Sequence, residues 1–155
     1  QKVKGLLDQG GRLEETVSEE IANYRQTKGK YIPGFGHRFH KPEDPRAPRL
    51  MKLVSDAEGD KIVSGNFMRI GLEIQRQLSL GKSTGIAMNI DGATAVIFGE
   101  LGFAPPLARG LFCLSRSVGI LAHAWEQKNQ GGRNKGPTPP EFLWNYYGKN
   151  PLEEG

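Results

Sequence analysis

The sequence has 155 residues, of which 37% are hydrophobic and 25% are charged, a balance typical of one ordinary globular domain. The formal charge of +4 comes from lysines and arginines scattered among acidic residues, without the basic runs or interleaved aromatics of a nucleic-acid groove. No apolar run approaches the roughly 20 residues of a membrane-spanning helix, and no hydrophobic signal core follows Gln1. We therefore expect a cytoplasmic protein that binds neither nucleic acid nor a membrane.

Apolar residues at helical spacing occur along most of the chain. A first amphipathic region is marked by Leu6, Leu7, Val17, Ile21 and Tyr24. A second helix is predicted from PRAPRLMKLVSDAE, directly after a proline, and a third from KIVSGNFMRIGLEIQRQL. Two later segments are apolar almost all round, MNIDGATAVIFGELG and APPLARGLFCLSRSVGILAHAWEQ. Because two-residue alternation is nearly absent, the predicted fold class is mainly α, followed by a Gly- and Pro-rich C-terminal arm.

The two apolar helices contain four glycines, Gly92, Gly99, Gly110 and Gly119. A glycine inside a helix costs about 1 kcal/mol relative to alanine, so we expect another part of the structure to approach closely at these positions. Close helix packing within the chain is one explanation, and a second subunit is another. The apolar surroundings in the last helix also predict a buried thiol at Cys113 and a hydrogen-bonded interior side chain at His123.

The loop IPGFGHRFHKPEDPRAPRL concentrates residues suited to chemistry. PGFGH places His37 directly after a Pro-Gly-x-Gly turn, where a ligand can approach the main chain without meeting Cβ atoms. DPR places Arg46 at the start of a helix, next to Pro45, where its planar guanidinium can bind a carboxylate through two hydrogen bonds. From the local sequence alone, an ordinary turn with a solvent-exposed histidine remains an alternative.

Three motifs resemble those of the citrate synthase superfamily, in the family's order and over about residues 31–127. GFGHRFHKPEDPRA resembles the loop in which Gly-x-Gly-His is followed by Asp-Pro-Arg. MNIDGATAVIFGELGF resembles the Asn-Val-Asp segment, and LFCLSRSVGILAHAWEQ resembles the Ser-Arg-x-x-Gly helix. His-Lys-Pro and GGRNKGPTPPEF are most similar to bacterial citryl-CoA lyase-like proteins.

The resemblance implies a mainly α, citrate synthase-like fold. Residues 1–102 would form most of the small, CoA-binding domain, and 103–155 a returning large-domain helix with the C-terminal arm, while the N-terminal large-domain part is absent from this sequence. The implied reaction forms or cleaves a carbon-carbon bond between acetyl-CoA and a 2-oxo acid such as oxaloacetate, with citryl-CoA as product or substrate. The resemblance implies a homodimer with no tightly bound cofactor, in which the CoA thioester is a substrate.

The resemblance also assigns chemical roles. Bond formation beside a thioester passes through an enol or enolate, which needs a base and a proton donor. Asp91 matches the base at the acetyl carbon, and His37 matches the acid that protonates the ketone oxygen, or takes the hydroxyl proton in the reverse direction. Arg46 and Arg116 match residues that bind the substrate carboxylates. A helix cap for Asp91 and a structural ion pair for Arg116 remain alternatives.

CoA binding is assigned to the backbone of Gly34, Phe35 and Gly36, with Lys41 and Lys82 near the phosphates. Both lysines remain open to a second interpretation as solvated surface residues. The histidines and the lone cysteine lack metal-ligand spacing, so no metal site is predicted.

Two questions about function stay open at the level of sequence. His40 can line the pocket of the glycine loop or lie on the surface. The enol-stabilising His-Gly-Gly segment of the family is missing from this sequence, so the 155-residue chain alone is expected to be inactive. A non-catalytic CoA-binding or assembly fragment is the alternative function, and a basic nucleic-acid binder is a further one, which the scattered charge disfavours.

Overall fold

The computed structural model describes residues 1–38, 40 and 43–131. In these residues all helices are α-helices and no β-strand forms, although Phe35 and Met88 make an isolated antiparallel bridge. The mainly α prediction is confirmed. The helices are α1 (Lys2–Asp8), α2 (Leu13–Thr27), α3 (Arg46–Gly59), α4 (Asn66–Ser79), α5 (Ile90–Glu100) and α6 (Pro105–Asn129).

The first amphipathic region consists of two helices, α1 and α2. The chain turns between them at Gly10, whose φ of 93° lies in the left-handed region that favours glycine. The amide of Gly11 then donates to the carbonyl of Leu6 at 3.1 Å. Val17 and Ile21 are buried as their spacing suggests, so the predicted apolar face is present, with a break that the spacing did not show.

Helix α4 begins later than its sequence pattern suggests, because Gly65 precedes it with a left-handed φ of 69°. The carboxylate of Glu100, at the end of α5, accepts hydrogen bonds from the amides of Gly65 (3.0 Å), Phe67 (2.7 Å) and Met68 (3.2 Å). These are amides that have no partner within the helix itself. Glu100 therefore joins the end of α5 to the beginning of α4.

Two apolar clusters form the core of the first 115 residues. One combines α3, α5 and the residue Met88 before α5, and the other combines α2 with α4. Phe35 packs against both clusters. The loop that carries the candidate residues is therefore anchored in the core by an aromatic side chain.

Two of the four helical glycines are explained by close approach within the chain. A Cβ on Gly92 would lie 2.3 Å from the carbonyl oxygen of Gly34, and one on Gly99 would lie 2.7 Å from the ring of Phe67. Real Cβ atoms essentially never approach a neighbour so closely. At Gly110 and Gly119, by contrast, an added Cβ would meet no described atom within 4 Å.

The chain divides into two compact units, Gln1–Ser115 and a second that begins at Arg116. Helix α6 continues through this boundary and has no buried residue. The predictions for its interior side chains are therefore wrong for this chain: Cys113 is exposed, and His123 is 85% exposed and lies 3.7 Å from Glu126. An apolar sequence pattern shows that a helix suits burial, but it does not supply the partner.

The expected C-terminal arm lies outside the described residues. None of the helices in the described ranges is long and apolar enough to cross a membrane. The proposed domain limit near residue 102 stays a prediction.

Candidate active site

The glycine loop lies alongside the segment that leads into α5. Gly34 and Gly36 adopt left-handed φ values of 87° and 77°. The amide of Asn89 donates to the carbonyl of Gly34 at 3.0 Å, and the amide of Gly36 donates to the carbonyl of Ala87 at 2.7 Å. The Gly36 amide is therefore used within the protein and is not available to a ligand.

Asn89 is the N-cap of α5. Its Oδ1 accepts hydrogen bonds from the amides of Asp91 (2.9 Å) and Gly92 (3.2 Å), while its Nδ2 donates to the carbonyl of Gly36 at 2.7 Å. Asn89 thus caps the helix and holds the glycine loop at once. Asp91 is therefore not the cap of α5. It lies in the first helical turn and is exposed.

Asp44 is a buried carboxylate, 1% exposed, between the loop and α5. Its Oδ1 accepts from Arg46 Nε at 2.9 Å, and its Oδ2 accepts from Arg46 Nη2 at 2.9 Å and from the amide of Ile90 at 3.0 Å. The hydrogen bonds from the Arg46 side chain hold the pKa of Asp44 well below its usual range, against the opposing effect of burial. Asp44 is therefore ionised at neutral pH.

Arg46 is the first residue of α3 and is exposed. The hydrogen bond to Asp44 is the main cause that raises the pKa of Arg46. Desolvation opposes this effect, and the charges of Asp44 and Asp91 add to it. Asp44 Oδ2 also accepts from the amide of Ile90, the residue directly before Asp91, so Arg46 lies near the beginning of α5. Two of the residues expected to act together are therefore brought to the same end of α5.

His37 is half-buried, and its Nδ1 accepts a hydrogen bond from the amide of His40 at 3.0 Å. The two imidazole rings lie 4.4 Å apart between centroids, tilted by 36°. In a neutral ring whose Nδ1 accepts, the proton is on Nε2, so His37 can donate a hydrogen bond through Nε2. Both histidines, with Asp44 and Asn89, line a cavity of about 190 Å³.

Asp91 opens onto a different cavity, of about 370 Å³, whose walls are mostly apolar. Gly34 and Phe35 form part of its lining, and α4 and α5 contribute Phe67 and Phe98. The structure therefore brings Asp91 together with the glycine loop, and His37 together with Asp44, in neighbouring cavities of the same unit. Such a mostly apolar cleft with a few polar groups is typical of a small-molecule site.

Of the remaining predicted ligand residues, Lys82 lines neither of the two cavities. Lys82 is exposed in the connection between α4 and α5. Arg116 is exposed on α6 in the second unit, and Lys41 lies outside the described residues. In the described part of the chain, no group of side chains is arranged to hold a metal ion.

The sequence profile of the citrate synthase C-terminal domain matches residues 1–137. The chain belongs to the citrate synthase family. The resemblance drawn from the three motifs is thus confirmed, and the citrate synthase-like helical fold with it.

Curated relatives include a citrate synthase from Acidithiobacillus ferridurans, 33% identical over 144 residues that cover 83% of this chain and 36% of the relative. Citrate synthase 1 of Mycobacterium tuberculosis is 30% identical over 151 residues, covering 93% and 33%. The chain spans about a third of the length of these relatives.

Two solved structures share the citrate synthase-like fold. Citryl-CoA lyase from Hydrogenobacter thermophilus matches with a TM-score of 0.64 and 28% identity, over 96% of this chain and 55% of that one. Citrate synthase from Thermotoga maritima matches with a TM-score of 0.63 and 30% identity, over 99% and 41%.

Sequence reasoning did not single out Asp44 or Asn89, although each lies inside a quoted motif. A signal was present for both: Asn89 is a preferred N-cap residue directly before an apolar helix, and Asp44 lies two positions before Arg46. The burial of Asp44 and its bond to Ile90, 46 residues away, depend on tertiary structure.

Proposed function

We propose that this citrate synthase family chain provides the CoA and oxo-acid site of an enzyme that forms or cleaves a carbon-carbon bond between acetyl-CoA and a 2-oxo acid such as oxaloacetate. The observation that carries the proposal is the position of Asp91. Asp91 is exposed in the first turn of α5 and lines the same cavity as Gly34 and Phe35. The preceding residue, Ile90, donates its amide to the same Asp44 oxygen that binds Arg46. The names of the relatives, citrate synthase and citryl-CoA lyase, support the same chemistry.

In the synthetic direction, Asp91 takes a proton from the acetyl carbon of the thioester, which becomes an enol or enolate. That carbon attacks the ketone carbon of the oxo acid, and the ketone oxygen receives the proton from His37. In the cleavage direction, His37 takes the hydroxyl proton of citryl-CoA, the carbon-carbon bond breaks, and Asp91 returns a proton to the acetyl carbon. Because Nδ1 accepts from the His40 amide, Nε2 is the nitrogen that exchanges this proton: it carries the proton before the ketone oxygen receives it, and it is unprotonated before it takes the hydroxyl proton in cleavage.

Substrate binding is divided among the remaining residues. Arg46 binds a carboxylate of the oxo acid, a role that the family resemblance also gives to Arg116. The glycine loop of Gly34, Phe35 and Gly36 lies against the CoA portion without using the Gly36 amide, which is bonded to Ala87, and the resemblance adds Lys41 and Lys82 near the phosphates. CoA is a substrate in this proposal, and no tightly bound cofactor takes part. Residues 1–102 belong to the CoA-binding small domain, residues 103–155 are the large-domain helix and arm, and the enzyme works in the cytoplasm.

We also propose that the enzyme is a homodimer. Large apolar side chains of α6 are exposed, among them Leu114 (67%), Leu121 (72%) and Trp125 (62%). A second copy of this chain that packs on α6 would cover them and would give Gly110 a close neighbour.

The proposal is tested by separating binding from turnover. In the 155-residue chain, calorimetric titration should detect acetyl-CoA binding, and Asp91→Asn should leave the affinity nearly unchanged. In the whole protein that the proposal describes, in which this chain is joined by the segment that supplies the enol-stabilising donor, the same substitution should lower turnover at least about a hundredfold, because a base acts in the transition state. Arg46→Ala should mainly weaken oxaloacetate binding.

Two outcomes would contradict the proposal. An Asp91→Asn whole protein that exchanges the methyl protons of acetyl-CoA with solvent at the normal rate would remove Asp91 from the mechanism. A whole protein that binds CoA but turns over neither citryl-CoA nor acetyl-CoA with an oxo acid would favour the alternative, a non-catalytic CoA-binding or assembly role.

The 155-residue chain by itself should not turn over citryl-CoA. The sequence does not contain the His-Gly-Gly segment that supplies the enol-stabilising donor in related enzymes, and losing such a donor costs about a hundredfold or more. A coupled assay for released acetyl-CoA checks this, and measurable turnover by the chain would contradict it.

A further inference from the structure

Arg46 meets its structural partner and its proposed substrate with different parts of one guanidinium group. Nε and Nη2 both donate to the Asp44 carboxylate at 2.9 Å. In the described residues no acceptor engages Nη1. A substrate carboxylate therefore has access to the outer end of the group, while the inner edge is fixed by Asp44.

Asp44 also fixes the beginning of α5. The same oxygen that accepts from Arg46 Nη2 accepts from the amide of Ile90 at 3.0 Å, and Ile90 directly precedes Asp91. A single buried carboxylate, 1% exposed, therefore connects the first residue of α3 to the first residue of α5.

We propose that Asp44 is a positioning residue that holds the outer end of Arg46 at a set place relative to Asp91, so that the oxo acid binds beside the base. The inference rests on the proposed function. With 1% of its surface exposed and both carboxylate oxygens engaged, Asp44 acts through Arg46 and not as a ligand of the oxo acid. Its contribution is to order a flexible arginine side chain before the ligand arrives, which removes part of the entropy cost of binding.

The direction of the change in oxaloacetate affinity distinguishes positioning by Asp44 from a purely electrostatic effect of its charge. Asp44→Asn removes a negative charge beside Arg46. If Asp44 only contributed charge, its removal would strengthen the attraction between Arg46 and a dicarboxylate. If Asp44 positions Arg46, the freed guanidinium should bind oxaloacetate about tenfold more weakly, although the local charge has become more favourable.

Glu73 offers a matched control on α4. It is 9% exposed, and its carboxylate accepts from Arg76 Nε at 2.7 Å and from Arg76 Nη2 at 2.8 Å. This pair lines neither candidate cavity. Glu73→Gln therefore breaks a similar buried pair and should change oxaloacetate and acetyl-CoA affinity less than about twofold.

A measurement without ligand keeps the inference testable if Asp44→Asn fails to fold. In the wild-type 155-residue chain, the Nε proton of Arg46 should exchange slowly with solvent by NMR, because it is hydrogen-bonded to a buried carboxylate.

Arg46→Lys keeps the charge but lacks the second hydrogen bond to Asp44. It should weaken oxaloacetate binding by about the same factor as Asp44→Asn, while acetyl-CoA affinity stays within about twofold.

The outcomes distinguish the two proposals. Unchanged or tighter oxaloacetate binding by folded Asp44→Asn, or fast exchange of the Arg46 Nε proton in wild type, overturns the positioning role. If wild type binds no oxaloacetate in either the chain or the whole protein, the proposed function fails. In that case, if the Arg46 Nε proton exchanges slowly in wild type and fast in Asp44→Asn, Asp44 would still be shown to hold the Arg46 side chain.

Discussion

Helices α5 and α6 have the same sequence character but different surroundings. Each is apolar and contains two glycines. On α5, a Cβ at Gly92 or Gly99 would lie within 3 Å of another residue, and Gly92, Ala93 and Val96 are buried. On α6, no described atom lies within 4 Å of a Cβ at Gly110 or Gly119, and no residue is buried.

The difference shows that a glycine in an apolar helix has two separate meanings. On α5 it marks an approach that the chain makes to itself, since the glycine loop and Phe67 occupy the space a side chain would need. On α6 it marks a place where none of the described residues lies close to the glycine. Substituting one glycine of each kind should therefore produce effects of opposite sign.

The largest effect is expected at Gly92. An added methyl group would lie 2.3 Å from the Gly34 carbonyl oxygen and 2.8 Å from Met88 Cγ, so the loop or the helix must shift. Overpacking of this kind costs about 3 kcal/mol, and alanine recovers only about 1 kcal/mol in a helix. Gly92→Ala should lower the free energy of unfolding by about 2 kcal/mol in urea titrations. Unchanged stability would mean that the loop does not lie against α5.

A smaller effect is expected on acidification, and it concerns the start of α5. The pKa of Asp44 lies below its unfolded value of about 3.9, so its stabilising contribution is complete above that pH and is lost as the pH falls below it. Between pH 6 and pH 3 this residue should account for about 1 kcal/mol of lost stability. Urea titrations of wild type and Asp44→Asn check this, because the variant should lose less. If wild type and Asp44→Asn lose the same stability between pH 6 and pH 3, the Asp44 carboxylate is not the source of the pH dependence.

The smallest effect is expected at Gly110. Because nothing described lies near it, Gly110→Ala should raise the stability of the monomeric chain by up to about 1 kcal/mol, the helix preference of alanine. If a second copy packs closely on α6, the same methyl group should weaken the dimer. Sedimentation equilibrium over a range of concentrations measures this. A protein that stays monomeric at high concentration would argue against the proposed dimer.

Sequence alone predicted most of the helices, and it also supplied the candidate site residues, whose roles stay predictions. The helices follow from apolar spacing and from punctuation by proline and glycine, which act over a few residues. His37, Arg46 and Asp91 follow from short motifs. The tether at Asp44 did not follow, because its bond to Ile90 joins segments 46 residues apart. The predicted burial of Cys113 was wrong, because an apolar sequence around a residue does not show whether another element packs on that face of the helix.

The contacts of Phe35 have a consequence for how the site loses its structure. This one ring packs against both apolar clusters while its neighbours Gly34 and Gly36 are bonded to the entrance of α5. Opening the glycine loop would withdraw the ring from both clusters at once. Hydrogen exchange at the Gly36 amide should therefore proceed only through unfolding of the whole first unit, with no separate local melting of the candidate site.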